Sequence, residues 1–184
     1  MSHEDELQWI RAAQQGDRNA YAALVDRYWP RVQRWLQSFS HNAQTAEDLT
    51  QDTFLKAWVG LPRFSAGSNF RAWLFCIARR VLIDSHRCGK SPEAGRLPDT
   101  MQTATPGPVS TAVARETLAL VQQAIARLPD TFRESFLLRT QEELSYAEIA
   151  QVLETAEETV RWRVFKARKM LLDELGTILD SEST

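Results

Sequence analysis

Ser145-Tyr146-Ala147-Glu148-Ile149-Ala150-Gln151-Val152-Leu153, then Glu154-Thr155-Ala156, then Glu157-Glu158-Thr159-Val160-Arg161-Trp162-Arg163-Val164-Phe165-Lys166-Ala167-Arg168-Lys169-Met170-Leu171: this run joins two apolar periodicities across a turn-length gap. In the first segment Tyr146, Ile149, Ala150 and Leu153 recur at spacings of three and four, which predicts a short helix capped by Ser145. Thr155 is a candidate N-cap for the second segment, and Glu158, three residues on, would complete a capping box. A short helix, a tight turn and a longer helix make the helix-turn-helix layout. On the longer helix, at about 100° per residue, Val160, Val164, Ala167 and Leu171 fall within about 60° of arc and form the core face. Trp162, Phe165, Lys166 and Lys169 project from the opposite side, with Glu158 near them and Arg161, Arg163 and Arg168 flanking. Aromatics among cations are unusual on a free surface. They suit a helix in a DNA major groove, where cations reach phosphates and base edges while rings meet sugars or thymine methyls. A solvated helix with a basic face fits the same pattern.

Upstream, the second block predicts further helices over 114–127 and 130–140. The first block predicts four. One covers 4–15 and ends near Gly16. A second follows an Asp17/Asn19 cap and carries Tyr21, Leu24, Val25, Tyr28, Trp29, Val32, Trp35, Leu36 and Phe39, with Pro30 as a point of kinking or division. A third begins at Thr45 and Asp48 and ends near Gly60-Leu61-Pro62. A fourth is capped by Ser68 or Asn69 and runs over 70–87. Between the blocks, residues 89–114 hold four of the seven prolines and three of the seven glycines. That composition buries little apolar surface and reads as a linker. Its length exceeds an ordinary loop within one compact domain. No alternating strand pattern occurs, so the fold class is all-α: two small helical domains, 1–88 and 115–184, joined by a flexible linker.

Net charge is −2, which does not by itself mark a nucleic-acid binder. Its distribution matters more, because five basic residues and no acid lie between Arg161 and Lys169, and phosphates respond to local patches. Cys76 and Cys88 read as free thiols. Even with His86 they lack the ligand number of a structural zinc site, so no metal and no cofactor is expected. The acidic start and the lack of any apolar run of about 20 residues predict a cytoplasmic chain without membrane insertion. No GxxxxGK loop, GxSxG turn or His/Glu metal cluster occurs, and the chain is not expected to be an enzyme. A dimeric repressor would account for the helix-turn-helix, but not for the Trp-rich first block.

These residues resemble the extracytoplasmic-function branch of the sigma-70 family of RNA polymerase sigma factors. In the first block the resemblance is carried by Ala46-Glu47-Asp48-Leu49-Thr50-Gln51-Asp52-Thr53-Phe54-Leu55-Lys56-Ala57-Trp58, then Phe70-Arg71-Ala72-Trp73-Leu74-Phe75-Cys76-Ile77-Ala78-Arg79-Arg80 and Asp84. In the second it is carried by Leu128-Pro129, Arg133, Leu144-Ser145-Tyr146, Glu148-Ile149-Ala150, Thr159-Val160-Arg161 and Lys166-Ala167-Arg168. The chain departs from the family pattern at Arg80, Glu158 and Trp162, where Asn, Gly and a small residue are usual. The resemblance implies domain two at 1–88, a linker at 89–114 and domain four at 115–184. The implied partners are core RNA polymerase, promoter DNA and an anti-sigma factor.

Roles follow for three faces. On the third helix, Asp48, Gln51, Asp52, Leu55 and Val59 lie opposite the buried side, as two aliphatics framed by acids. Pattern alone fits an interface and an ordinary solvated face equally. The resemblance implies docking on the clamp coiled coil of the largest polymerase subunit. On the fourth helix, Phe70, Trp73, Leu74, Ile77 and Val81 are the expected core, with Phe75, Arg79, Arg80 and Arg87 outward. Cations interleaved with a ring suit single-stranded DNA. Phe64 and Asn69, in the small-residue loop before it, would help hold an unpaired base of the −10 element. Glu158, Arg161, Trp162, Phe165, Lys166, Arg168 and Lys169 are the implied −35 readers. The two-domain reading predicts that limited proteolysis cuts within 89–114 and leaves two stable pieces. Uniform resistance through that segment counts against it.

Overall fold

The computed structural model describes residues 3–40, 42–65, 67–87 and 112–182, with side chains described for 4–40, 42–65, 67–87 and 118–176. Cys88 and most of the proposed linker, 88–111, lie outside the described residues. Among the described residues there are eight α-helices, one 3-10 turn and no strand. The helices are α1 (His3–Gln14), α2 (Arg18–Gln37), α3 (Ala43–Gly60), α4 (Phe70–Arg87), α5 (Ala112–Arg127), α6 (Asp130–Thr140), α7 (Tyr146–Leu153) and α8 (Glu157–Glu182), and Leu61–Arg63 form the 3-10 turn after α3. They fall into two compact units, one built on α1 to α4 and the other on α5, α6, α8 and the larger part of α7.

In the first unit, Gly16 takes a left-handed φ of +91° at the end of α1, a conformation glycine adopts without steric cost. Asp17 then caps α2, its carboxylate accepting from Asn19 N at 2.8 Å and Ala20 N at 3.2 Å. Pro30 neither ends nor divides α2, which continues to Gln37. Its ring lies on the exposed side, where the backbone acceptor it leaves unbonded can turn to water. Leu24, Tyr28, Val32, Trp35 and Leu36 are buried along α2. Trp35 is the hub, with ring centroids of Phe39 at 5.0 Å and Phe75 at 5.6 Å, the latter edge-on. Tyr28 donates to the buried Glu6 carboxylate of α1. Burial pushes the Tyr28 phenol up, and Glu6 adds to the effect.

α3 begins two residues earlier than Thr45, because Asn42 is the cap and accepts from Thr45 N at 2.7 Å. Thr50 and Thr53 are fully buried on its inner side. Their hydroxyls donate to the carbonyls of Ala46 and Leu49, both at 2.7 Å, so no polar atom is stranded. At Gly60 an added Cβ would lie 3.3 Å from Trp73 Cζ2, so α3 and the half-buried Trp73 ring of α4 approach closely there. Gln14 Nε2 reaches from α1 to the carbonyls of Leu61 at 3.1 Å and Phe64 at 2.7 Å, pinning the 3-10 turn. Asn69, rather than Ser68, supplies the side-chain bond at the start of α4, accepting from Ala72 N at 3.3 Å.

Expectations at Phe75, Phe64, Trp73 and Ile77 are corrected here. Phe75 is 0 % exposed and sits on Trp35, because α4 packs against both α2 and α3 and so buries a wide arc: Phe70, Ala72, Leu74, Phe75, Ala78, Val81 and Leu82. Phe64 is also buried, its ring 5.5 Å from Phe70 and 4.9 Å from Trp73. Trp73 and Ile77, expected in the core, are only half-buried.

In the second unit Arg133 organises the joint between α5 and α6. Its guanidinium donates to the Ala126 and Leu128 carbonyls, which would otherwise end α5 unsatisfied, and pairs with Asp130. Burial lowers the Arg133 pKa, and Asp130 opposes that shift. Ala124 of α5 and Leu128 just beyond its end close on Ala167 and Leu171 of α8, with Phe132, Phe136 and Met170 around them. The capping box of this unit is at Ser145: Ser145 Oγ accepts from Glu148 N at 3.2 Å and Glu148 Oε2 accepts from Ser145 N at 2.7 Å. α7 ends on Glu154 at φ +51°, and Thr155 N returns to the Ala150 carbonyl at 3.0 Å. This left-handed stop favours glycine, and a non-glycine there costs roughly 1–2 kcal/mol. The first backbone bond of α8 starts from the Ala156 carbonyl, one residue beyond the expected cap Thr155. With Phe75 fully enclosed, Phe75→Ala should lower the unfolding free energy of the first unit by about 3–5 kcal/mol, read by denaturant titration. A change under about 1 kcal/mol would contradict the burial.

Candidate nucleic-acid interface and docking face

The stripe expected to be buried on α8 is buried: Val160, Val164, Ala167 and Leu171 all lie in the core. Everything on the far side of that helix is thereby turned outward. Glu158, Arg161, Trp162, Phe165, Lys166, Arg168 and Lys169 are exposed, Trp162 at 56 % and Phe165 at 67 %. Phe165 stands clear, whereas the Trp162 ring leans on Phe132 of α6 at 5.5 Å between centroids. Arg161 is ion-paired with Glu157 one turn earlier, and its guanidinium lies 4.7 Å from the centroid of the Tyr146 ring. Arg163 is half-buried. The face therefore offers four exposed cations and two exposed rings, the chemistry that fits phosphates, base edges and thymine methyls.

The outer side of α4 is plainer than expected once Phe75 and Phe64 are enclosed. Arg80 and Arg87 are exposed, Arg79 is half-buried, and Asn69 is exposed while it caps the helix. One half-exposed ring remains beside them. Trp73 packs one side on Phe64 and Phe70, at 4.9 and 5.4 Å. Its helical position made it look like core. No spacing in the sequence marks it, since its close approach to Gly60 is made between two helices.

On α3, Asp48, Gln51 and Asp52 are exposed, and Leu55 and Val59 are exposed at 66 % and 78 %. Leu55 and Val59 line an open groove of about 640 Å³ with Lys56, Gly60, Pro62 and Arg63. The acidic frame thus covers only one end of the apolar patch, and Lys56 and Arg63 make the other end basic. Spacing of four from Leu55 through Val59 to Arg63 carried that information. Such a patch, with an apolar centre and a charged rim of both signs, has the anatomy of a protein interface. Among the described residues no three His, Cys, Asp or Glu side chains converge as a metal site, and no helix is long and apolar enough to cross a membrane.

Residues 24–91 match the family model described as Sigma-70 region 2, and residues 118–171 match that of Sigma-70, region 4. The RNA polymerase sigma-H factor of Pseudomonas aeruginosa is 31% identical over 193 residues, covering 97% of this chain and 98% of that protein. The ECF RNA polymerase sigma factor SigW of Bacillus subtilis is 32% identical, covering 90% and 94%. Among solved structures, CnrH in complex with the cytosolic domain of CnrY superposes with a TM-score of 0.69 at 27% identity, covering 96% of this chain and 98% of that one. The sigma factor RpoE in complex with the anti-sigma factor NepR from Bartonella quintana gives 0.67 at 26% identity, covering 85% and 96%.

Proposed function

Because the chain belongs to the sigma-70 family of RNA polymerase sigma factors, in its extracytoplasmic-function branch, we propose that its three exposed faces divide the work of promoter-specific initiation. A sigma factor binds core RNA polymerase and directs it to promoters. It supplies binding energy and no bond-breaking chemistry, and its place is the cytoplasm, where the core enzyme works. The units take the roles of domain two, 1–88, and domain four, 115–184, with 89–114 as tether, except that its last three residues already begin α5.

The α3 face docks on core polymerase. Asp48, Gln51 and Asp52 answer a basic surface, and Leu55 and Val59 form the apolar centre that water leaves on association. The α4 side handles the −10 element. Arg79, Arg80 and Arg87 hold the backbone of the opened strand and Asn69 borders the loop before it, while the half-exposed Trp73 replaces Phe75 and Phe64 as the ring available to a base. Strand opening without a nucleotide fuel requires that the open strand bind better than the duplex. The α8 face reads the −35 element. Arg161 and Lys166 are the donors for guanine, Trp162 and Phe165 meet sugars and methyls, and Arg168 and Lys169 add attraction independent of sequence. Glu158 can accept from a cytosine amino group. CnrH was solved in complex with the cytosolic domain of CnrY and RpoE in complex with the anti-sigma factor NepR, and an anti-sigma partner like the latter is proposed for this chain.

The observation that carries the reading is the α8 face: two aromatics more than half exposed among cations, opposite a fully buried stripe. In reconstituted holoenzyme, Arg161→Ala or Lys166→Ala should flatten the difference between matched and scrambled −35 sequences, by roughly 5- to 150-fold for a guanine contact. Lys169→Ala should weaken both alike and make the salt dependence shallower. If all three leave promoter selection unchanged, α8 is not the reader. Separately, Leu55→Asp should weaken core binding roughly 5- to 150-fold while the thermal midpoint of the free protein stays near that of the parent, since its site is already exposed. Unchanged core affinity rules out the α3 docking face.

A further inference from the structure

Tyr146 is the first residue of α7, and two guanidiniums lie over its ring: Arg139 of α6 at 4.8 Å and Arg161 of α8 at 4.7 Å from the centroid. The ring itself is held firmly. The Ser145–Glu148 capping box fixes the start of α7. Arg139 Nη1 also donates to the Leu144 carbonyl at 2.7 Å, so the loop entering α7 is tied to the same guanidinium that faces the ring. Tyr146 is half-buried and therefore cannot swing freely, whereas Arg161 is exposed.

Arginine has a long side chain whose rotamer freedom must be given up when it engages a base. An exposed arginine that is already ordered loses less on binding. A ring holds a guanidinium by its charge and uses up none of its five N–H donors. Glu157 takes one of those donors, at Nη2, and leaves others to point away. We propose that Tyr146 is a positioning residue for sequence recognition: it holds the Arg161 guanidinium in place before DNA arrives, so that its free N–H groups meet a base in the −35 element. The proposal rests on the assignment of Arg161 as a base-reading residue. It adds that a side chain on the first helix of the helix-turn-helix sets the specificity of the second. Hydrophobic packing between the helices would need only an apolar body at position 146; positioning needs an aromatic face.

The test uses holoenzyme reconstituted from core polymerase and the full chain. Run-off transcription is compared on a promoter selected by that holoenzyme from a randomised −35 library and on its scrambled counterpart. Tyr146→Leu should cut the matched-to-scrambled ratio roughly 2- to 30-fold, the range of a cation–π contact, and Tyr146→Phe should restore it. In an Arg161→Ala background Tyr146→Leu should have little further effect. Loss in Tyr146→Phe equal to that in Tyr146→Leu would mean the hydroxyl acts directly, and would overturn the proposal. So would a full-sized Tyr146→Leu effect in the Arg161→Ala background. If Arg161→Ala flattens discrimination but Tyr146→Leu does not, only the positioning role fails; if Arg161→Ala has no effect, the base-reading assignment fails with it. A second readout is independent of how well Tyr146→Leu folds. In the free protein and in Tyr146→Phe, the Arg161 side-chain protons should resonate upfield from the ring current, and their absence there in the parent chain sinks the idea.

Discussion

Four side chains on one stripe of α8 must leave water: Val160, Val164, Ala167 and Leu171. Ala167 and Leu171 do so by closing on Ala124 of α5 and on Leu128 just after it, within a cluster that Phe132, Phe136 and Met170 extend. Because a helix is rigid and its faces are set by its period, this one seam determines the direction of every other residue on α8. The cations and the two exposed rings are presented together because the stripe opposite them has no other place to go. The α5–α6 joint supports the seam from below. Arg133 satisfies the last carbonyls of α5, at the expense of its own partial desolvation, which Asp130 offsets.

The first unit follows the same logic with a different hub. Trp35 on α2 is fully enclosed, and Phe39 and Phe75 pack on it. α3 contributes two threonines to this interior without stranding a hydroxyl, since each donates one turn back along its own helix. With its inner face so occupied, α3 leaves Leu55 and Val59 in water. Their exposure is costly to an isolated chain in solubility terms and becomes useful where a partner covers them. The same surface gathers acids at one end and Lys56 and Arg63 at the other, which would orient that partner as well as attract it.

Beside the exposed face of α8, polar contacts add to the apolar burial of Ile149, Val152 and Leu153. The capping box at Ser145, the Arg139 bond to the Leu144 carbonyl and the pairing of Arg161 with Glu157 cluster around the start of α7 and α8. None is strong alone, being partly exposed. Together with the buried Ile149, Val152 and Leu153 they fix the geometry of a short helix. Glu143 and Glu154 bracket α7 with left-handed backbone at φ +52° and +51°, so both of its boundaries are set by turn geometry that the chain accepts at some cost.

Much of this was already determined by the amino-acid sequence. The eight helices, the helix-turn-helix and the buried stripe of α8 follow from apolar spacing, because one helix packed on one side has one well-defined inner face. The exposed Leu55 and Val59, and the cations of α8, follow from the same period. Only the tertiary structure decided the rest. α4 packs against two helices, so its buried arc is wider than a single stripe, and Phe75 lies inside where the period alone placed it outside. Phe64 is enclosed because Gln14, fifty residues away in sequence, pins the loop that carries it. The starts of α3 and α8 lie one or two residues from where spacing placed them, Asn42 capping α3 where Thr45 was expected and α8 beginning after Ala156. The ring of Tyr146 beneath Arg161 joins two helices, and no spacing along one helix can reveal a contact made between two.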